Sequence, residues 1–208
     1  MNKILPLFST PLCFDNYKLD TDEIESIKKE LYIHGNTHDG LFSDNCNILL
    51  KYPNLLNVVH THIKTSLYDE NSFNIVSDMK YKILASWVNK HPPKHAGRRH
   101  AHLNSMFTGV LYIDIPDDSG EISFGLPVCQ PTWITGTINP KVNDYNIYNS
   151  KVWTLPTNTG MCIFFPSHLE HWVSVNESNH DRYTIAFNVM LEGKLFGEHN
   201  EVLNIKVS

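Results

Sequence analysis

Two histidines one residue apart, His100 and His102, stand in RRHAHLNSMFTGVLYI (98–113), just ahead of a run of apolar and β-branched residues. Imidazole is the commonest side-chain ligand for iron, zinc, copper and nickel. On a strand, residues i and i+2 face the same way, so both rings can converge on one point. In a chain with 12 histidines an HxH pair alone says little. The pair gains weight from FFPSHLEHWVSV (164–175), where His171 opens another strand-like run after a proline-containing turn. From there His171 can meet the first pair across the mouth of a barrel. Arg182 then opens RYTIAFNVM, with Thr184 on the same strand face. Burying a guanidinium without a partner is expensive, so an arginine on an apolar strand calls for an anion. A metal beside a bound anion is the chemistry these four positions suggest.

Strands must carry most of these residues. MKYKILASWVN (79–89), SMFTGVLYIDI (105–115), EISFG (121–125), KVWTLP (151–156), MCIFFP (161–166), HWVSV (171–175) and RYTIAFNVML (182–191) are rich in β-branched and aromatic residues. PPKHAG, PDDSG, PTNTG and NESNHD separate them as turns. Ahead of them lie two helices. In TDEIESIKKELYI (21–33), Ile24, Ile27 and Leu31 have helical spacing, and Asp20 or Thr21 can cap the start. In NLLNVVHTHIKTSLY (54–68), Leu55, Val59, Ile63 and Leu67 form an i, i+4 stripe. One-sided stripes must be buried against something, so both helices are expected on the outer face of the strands. The fold expected is mainly β with flanking helices, a double-stranded β-helix or jelly roll. It is read as a single domain over 1–208, with an N-terminal strand and supporting helices in 1–78. The β core follows in 79–191 and a C-terminal extension in 192–208. Residues 126–150, rich in Pro and Asn, read as a long loop or lid.

Composition narrows the function classes. A length of 208 residues with 41% hydrophobic and 19% charged content is that of a globular domain able to bury a core. A formal net charge of -5 argues against stable nucleic-acid binding by phosphate neutralisation. Cys13, Cys46, Cys129 and Cys162 have neither CxxC nor zinc-like spacing, which points to reduced thiols and a cytoplasmic protein. The start, MNKILPLFSTPLCF, is broken by Pro6 and Pro11 and lacks a small-x-small cleavage site, so it reads as a strand, not a signal peptide. No segment reaches the ~18 apolar residues of a membrane span.

HxH followed by a strand and EISF, then FFPSHLEHWV, then RYTIAFNV, resembles a small branch of the iron(II)/2-oxoglutarate-dependent oxygenases, in the prolyl hydroxylase and aspartyl β-hydroxylase-like superfamily. The likeness covers roughly residues 80–191, on top of the strand pattern. It implies His100 as the first iron ligand and His171 as the distal one. It implies that Arg182 clamps the distal carboxylate of 2-oxoglutarate in a bidentate pair, with the Thr184 hydroxyl as a further donor. The chain departs from the superfamily pattern two residues after the first histidine, where Asp or Glu is usual and His102 stands here. Three readings stay open there: a three-histidine face, a two-histidine site completed by water, and a shifted register with His102 first and Asn104 second. His100 with His102 is preferred to the shifted register, because the spacing to the following strand fits His100, and whether His102 or water completes the face stays open.

Other polar residues have plainer readings. His60 and His62 lie about 200° apart on a helix, so they cannot share a ligand and are surface or packing residues. Glu170 faces away from His171 on a strand. His168 is expected to be exposed in a turn, and His91 and His95 to sit in a solvated basic hairpin tip. Asn89, two residues after Trp87, could bond a 2-oxoglutarate oxygen or simply end its strand. Tyr112 and Phe124 read as core.

The resemblance thus implies an oxygenase that uses Fe(II) and 2-oxoglutarate to hydroxylate a C–H bond, releasing succinate and CO2. Its substrate would be a peptidyl residue, an amino acid or another small metabolite; a homodimer is left open. The alternative is a cupin-like metal barrel, which shares HxH but has no need of an arginine aimed at a dicarboxylate. A purely structural jelly roll would need none of these residues.

Overall fold

The structure, a computed structural model, describes residues 9–34, 40–126, 141–196 and 202–207. Two antiparallel sheets face one another. Their strands are β1 (Cys13–Asn16), β2 (Tyr32–His34), β3 (Leu41–Ser43), β4 (Lys80–His91), β5 (Gly97–His100) and β6 (Phe107–Asp114). After these come β7 (Ile122–Gly125), β8 (Val152–Leu155), β9 (Met161–Pro166), β10 (His171–Val173), β11 (Arg182–Phe196) and β12 (Val202–Ile205). The major sheet runs β1-β9-β6-β11-β4-β3-β2, with β12 pairing the far end of β11; the minor sheet runs β5-β10-β7-β8. This is the double-stranded β-helix expected of the strand pattern. Of the expected 126–150 loop, residues 127–140 lie outside the described residues, as do 1–8 of the N-terminal reading and 197–201 and 208 of the C-terminal extension. What is described of that extension continues β11 to Phe196 and folds back as β12.

Period-two alternation sorts each major-sheet strand between two cores. Along β11, Ile185, Phe187 and Val189 join the layer under the helices, together with Cys162 and Phe164 of β9. Val110 and Tyr112 of β6 and Ile163 and Phe165 of β9 face the minor sheet instead. A close approach between neighbouring strands leaves no room for a side chain at Gly109. Gly109 is opposite Phe187 in the ladder, and a Cβ there would lie 2.1 Å from the Phe187 ring.

Helix α2 (Pro53–Tyr68) buries the whole predicted stripe of Leu55, Val59, Ile63 and Leu67 in that outer layer. Helix α1 (Thr21–Ile27) is capped by Asp20, whose side chain accepts the Glu23 N–H at 3.0 Å. It ends earlier than its periodicity suggests. Residues 32–34 are taken by pairing with β3, and Leu31 is left exposed. The Glu23 carboxylate in turn accepts the N–H groups of Asn54 and Leu55, at 3.0 and 2.9 Å. That bond satisfies orphan donors at the start of α2 and sets a negative charge at its positive dipole end.

His62 is buried on the inner face of α2 and not at the surface, with Nδ1 3.1 Å from the Tyr17 hydroxyl and Nε2 without a hydrogen-bond partner. Burial depresses its pKa to about 4 from the usual 6.5. The unfolded chain therefore takes up this proton near pH 6.5, while the folded chain resists it until near pH 4. Stability should fall as pH drops through that window and be unaffected by this group above it. The difference is on the order of 3 kcal/mol at full effect. Urea unfolding of the parent and of His62→Gln between pH 7 and 4 checks this: the variant should lose stability less steeply, and parallel curves would refute the assignment.

Candidate metal and anion site

Strands of both sheets aim side chains into one cavity of about 120 Å³, well above the ~10–15 Å³ a single water needs. Strand β4 contributes Trp87, Asn89 and His91; β6 contributes Thr108, Val110 and Tyr112; and β11 contributes Arg182, Thr184 and Ala186. The spacing of two within each set is the strand period. The ladder aligns the sets, placing Thr184 beside Asn89 on one side and Tyr112 on the other, and Arg182 opposite His91. The minor sheet closes the cavity with His100, His171, Ile122 and Val173.

His100 and His171 are direct partners across the β5–β10 ladder. His102 lies beyond the end of β5, off any strand, yet its ring joins them. One ligand atom from each of the three histidines falls within 4.8 Å of the other two. The His100 and His102 Nε2 atoms are 3.2 Å apart. Hydrogen bonds to backbone carbonyls orient two of the rings. His100 Nδ1 is 2.7 Å from the Arg98 oxygen, and His171 Nδ1 is 3.0 Å from the Leu169 oxygen. A carbonyl only accepts, so both Nδ1 atoms carry the proton and both Nε2 atoms present a lone pair. His102 Nε2 can donate to the His100 Nε2 lone pair at this distance, and in its other tautomer it would turn a third lone pair toward the same point, as a cation there requires. The donor set fits a metal, and the Arg98 and Leu169 carbonyls hold the far side of two rings as metal-binding histidines are commonly held. The His102 ring is stacked between Trp87 (5.8 Å, 19°) and His171 (5.4 Å, 16°).

Deeper in the cavity, Arg182 is 1% exposed. Among the described residues no carboxylate pairs with it. Its Nη1 is 3.4 Å from His91 Nδ1, and its guanidinium carbon is 5.4 Å from the centre of the Tyr112 ring. Both Arg182 Nε and the Tyr112 hydroxyl are buried with no hydrogen-bond partner. Burial lowers the pKa of Arg182 and raises that of Tyr112. Two buried orphan donors flanking one space, one of them cationic, are complementary to an anion.

Several sequence expectations meet their test here. The structure brings together His100, His102, His171, Arg182, Thr184 and Asn89 around this cavity. It leaves out Asn104, which is exposed in the turn after His102 and does not line the cavity. Asn89 accepts the Trp87 indole N–H at 3.0 Å, which steadies the ring that covers His102. Glu170 faces outward as expected, bonded to Arg99 at 2.6 and 2.9 Å, and His168 is exposed. The reading of His91 as part of a solvated tip is corrected: β4 runs on to residue 91, because Arg182 pairs with it, so the ring is buried against the guanidinium. Tyr112 is likewise cavity wall as well as core. Period-two counting on from Trp87 and Asn89 would have found His91, had the strand been extended that far.

The profile of the family described as "Putative 2OG-Fe(II) oxygenase" matches residues 85–188, half of the chain, and the match encloses every cavity residue named above. No curated protein is a significant match to the sequence. Solved structures of like fold include the epimerase SnoN from nogalamycin biosynthesis, in complex with Fe3+, alpha ketoglutarate and nogalamycin RO. It is 13% identical with a TM-score of 0.60, over 87% of this chain and 79% of that one. HygX from Streptomyces hygroscopicus, with nickel and 2-oxoglutarate bound, is 10% identical with a TM-score of 0.57, over 87% and 83%. A Pseudomonas putida prolyl-4-hydroxylase is 12% identical with a TM-score of 0.54, over 86% and 92%. At such identities the likeness is one of fold. Among the described residues, no helix is long and apolar enough to cross a membrane.

Arg182→Met should leave the apo-protein as stable as the parent, or up to about 1–4 kcal/mol more stable, because it removes an uncompensated buried charge and keeps the volume. Urea unfolding without ligands measures this. A loss above about 2 kcal/mol, the scale of a broken charged hydrogen bond, would make the guanidinium a structural tie instead of a ligand group.

Proposed function

We propose that this chain, which belongs to the 2OG-Fe(II) oxygenase family, binds iron(II) through His100, His102 and His171 and the distal carboxylate of 2-oxoglutarate through Arg182. The observation that carries the reading is the pairing of three converging imidazoles with a buried guanidinium that lacks any carboxylate of its own among the described residues. When bound, iron(II) supplies the activation of dioxygen that is coupled to oxidative decarboxylation of 2-oxoglutarate to succinate and CO2 and to hydroxylation of a substrate C–H bond.

The protein's own residues orient and exclude. Arg182 offers a planar fork suited to two parallel hydrogen bonds with a carboxylate, and the Tyr112 and Thr184 hydroxyls stand on either side of it. Asn89 faces the same space with its amide. The Arg98 and Leu169 carbonyls hold His100 and His171 with Nε2 toward the metal. His102 replaces the usual carboxylate, so the metal keeps its full charge and the face is neutral. Val110, Ile122, Val173 and Ala186 line the remaining walls and keep water from the reacting centre. The substrate class is open between a peptidyl residue, an amino acid and a small metabolite. The fold relatives span this range: one is bound to nogalamycin RO and one is a prolyl-4-hydroxylase.

Anaerobic titration with iron(II) and then 2-oxoglutarate should produce the weak visible charge-transfer band of a metal–keto-acid chelate. His171→Ala should abolish iron binding, and His102→Ala should weaken it, since water can take that place. Arg182→Lys should keep iron but bind 2-oxoglutarate about ten- to a hundredfold more weakly, the equivalent of roughly 1.5–3 kcal/mol for a charged hydrogen bond. Parental 2-oxoglutarate affinity in Arg182→Lys and in Arg182→Ala would refute the assignment of the anion site.

A further inference from the structure

Of the three converging histidines, two are placed by strand pairing, but nothing in the ladder places His102. It lies two residues beyond His100, the last residue of β5, in a coil that runs to the start of β6. The tip of that coil has no apolar anchor, because Leu103 is 89% exposed and Asn104 is exposed beside it. A coil so built would wander unless polar bonds fix it, and a misplaced ligand weakens a metal site.

Those bonds converge on one residue of the β9–β10 turn. Ser167, 1% exposed, accepts the His102 backbone N–H on its carbonyl at 2.9 Å and donates its own N–H to the Met106 carbonyl at 3.0 Å. Its hydroxyl is 2.8 Å from the Ser105 hydroxyl and 2.8 Å from the Thr108 hydroxyl. Thr108 donates to the Asn188 side-chain oxygen at 3.1 Å. Each hydroxyl has a single proton, so the direction propagates. Thr108 spends its proton on Asn188, Ser167 must donate to Thr108, and Ser105 must donate to Ser167. The result is a one-way chain from the coil, through the turn, to β6 and β11. The same turn reaches the other side of the metal face, since the Leu169 carbonyl two residues on accepts from His171 Nδ1.

We infer that Ser167 is a positioning residue: it clamps the coil carrying His102 to the turn preceding His171 and so seats the third imidazole. The inference rests on the three-histidine reading proposed above. Removing the hydroxyl leaves the strand-borne pair of His100 and His171 intact and keeps the two main-chain bonds to the coil, but it cuts the side-chain tie that links Ser105 through the turn to Thr108, so His102 is held less firmly. Ser167→Ala should therefore move metal binding toward that of His102→Ala.

Cobalt(II) is a suitable probe, because its visible spectrum reports ligand number and type without turnover. The apo-protein, Ser167→Ala, His102→Ala, the double variant, Ser167→Thr and Ser105→Ala are titrated with cobalt(II), with thermal unfolding run in parallel. Ser167→Ala is expected to bind about tenfold more weakly, as for loss of a residue that orients a ligand, and to shift its spectrum toward that of His102→Ala. The double variant should bind no worse than His102→Ala alone, since the clamp has nothing left to place. Ser167→Thr keeps the hydroxyl and should restore the parental spectrum. If the parent binds cobalt(II) and Ser167→Ala binds it with parental affinity and spectrum, whatever its melting point, the clamp is refuted. Should Ser167→Ala not fold, Ser105→Ala decides: a shift toward the His102→Ala spectrum supports the clamp, and a parental spectrum overturns it. A parent that binds no cobalt(II) overturns the metal reading and this inference together.

Discussion

Arg182 sits in the central strand of the major sheet, fully enclosed, and its guanidinium has no carboxylate among the described residues. Bringing such a charge out of water costs several kcal/mol that only the rest of the fold can offset. The long ladders of β11 with β4 and β6 do this, since eleven residues pair on one side and seven on the other. The same ladders align Thr184, Tyr112, Asn89 and His91 around the group. A position that weakens the folded state in isolation becomes favourable when an anion fills the space beside it. That trade is characteristic of binding sites, where local energetics and function pull in opposite directions.

Charge is distributed accordingly. The chain has a formal net charge of -5, yet among the described residues no Asp or Glu lines the cavity. The nearest acidic side chain in sequence to the histidines, Glu170, is turned outward and held by Arg99, which also stacks on Trp172 at 4.8 Å. In the proposed site, with His102 in place of a carboxylate, the three imidazoles would bring no negative charge to the metal and Arg182 would bring a positive one to the anion. In a low-dielectric cavity both biases would act strongly on a dianionic cosubstrate.

The helices support this arrangement from behind. The α2 stripe, with Ile185, Phe187 and Val189 of β11, stiffens the reverse side of the strand that carries Arg182. Glu23 ties the start of α2 to α1, so the two helices dock as a unit. The price of that packing is a histidine, His62, held neutral within the layer.

The sequence by itself determined the strands that carry Asn89, Tyr112, His171 and Arg182, the α2 stripe, and the histidines and arginine at the heart of the cavity. Periodicity is a local property: a period of two puts Arg182 and Thr184 on one face wherever the strand goes, and a period of 3.6 does the same for Leu55 and Ile63. It also carried enough type and spacing for the family resemblance to be read from His100, His171 and Arg182. What it left open depended on partners distant in the chain. Whether β4 stops at Asn89 or reaches His91 was decided by pairing with Arg182, and α1 stopped at Ile27 because β3 claimed the residues beyond. The choice between His102 and Asn104 could not be made from a strand rule, because neither lies on a strand. Backbone bonds to Ser167, more than sixty residues away, turn the first inward and leave the second in solvent. Coil conformation has no period to read, so only tertiary hydrogen bonding could place it.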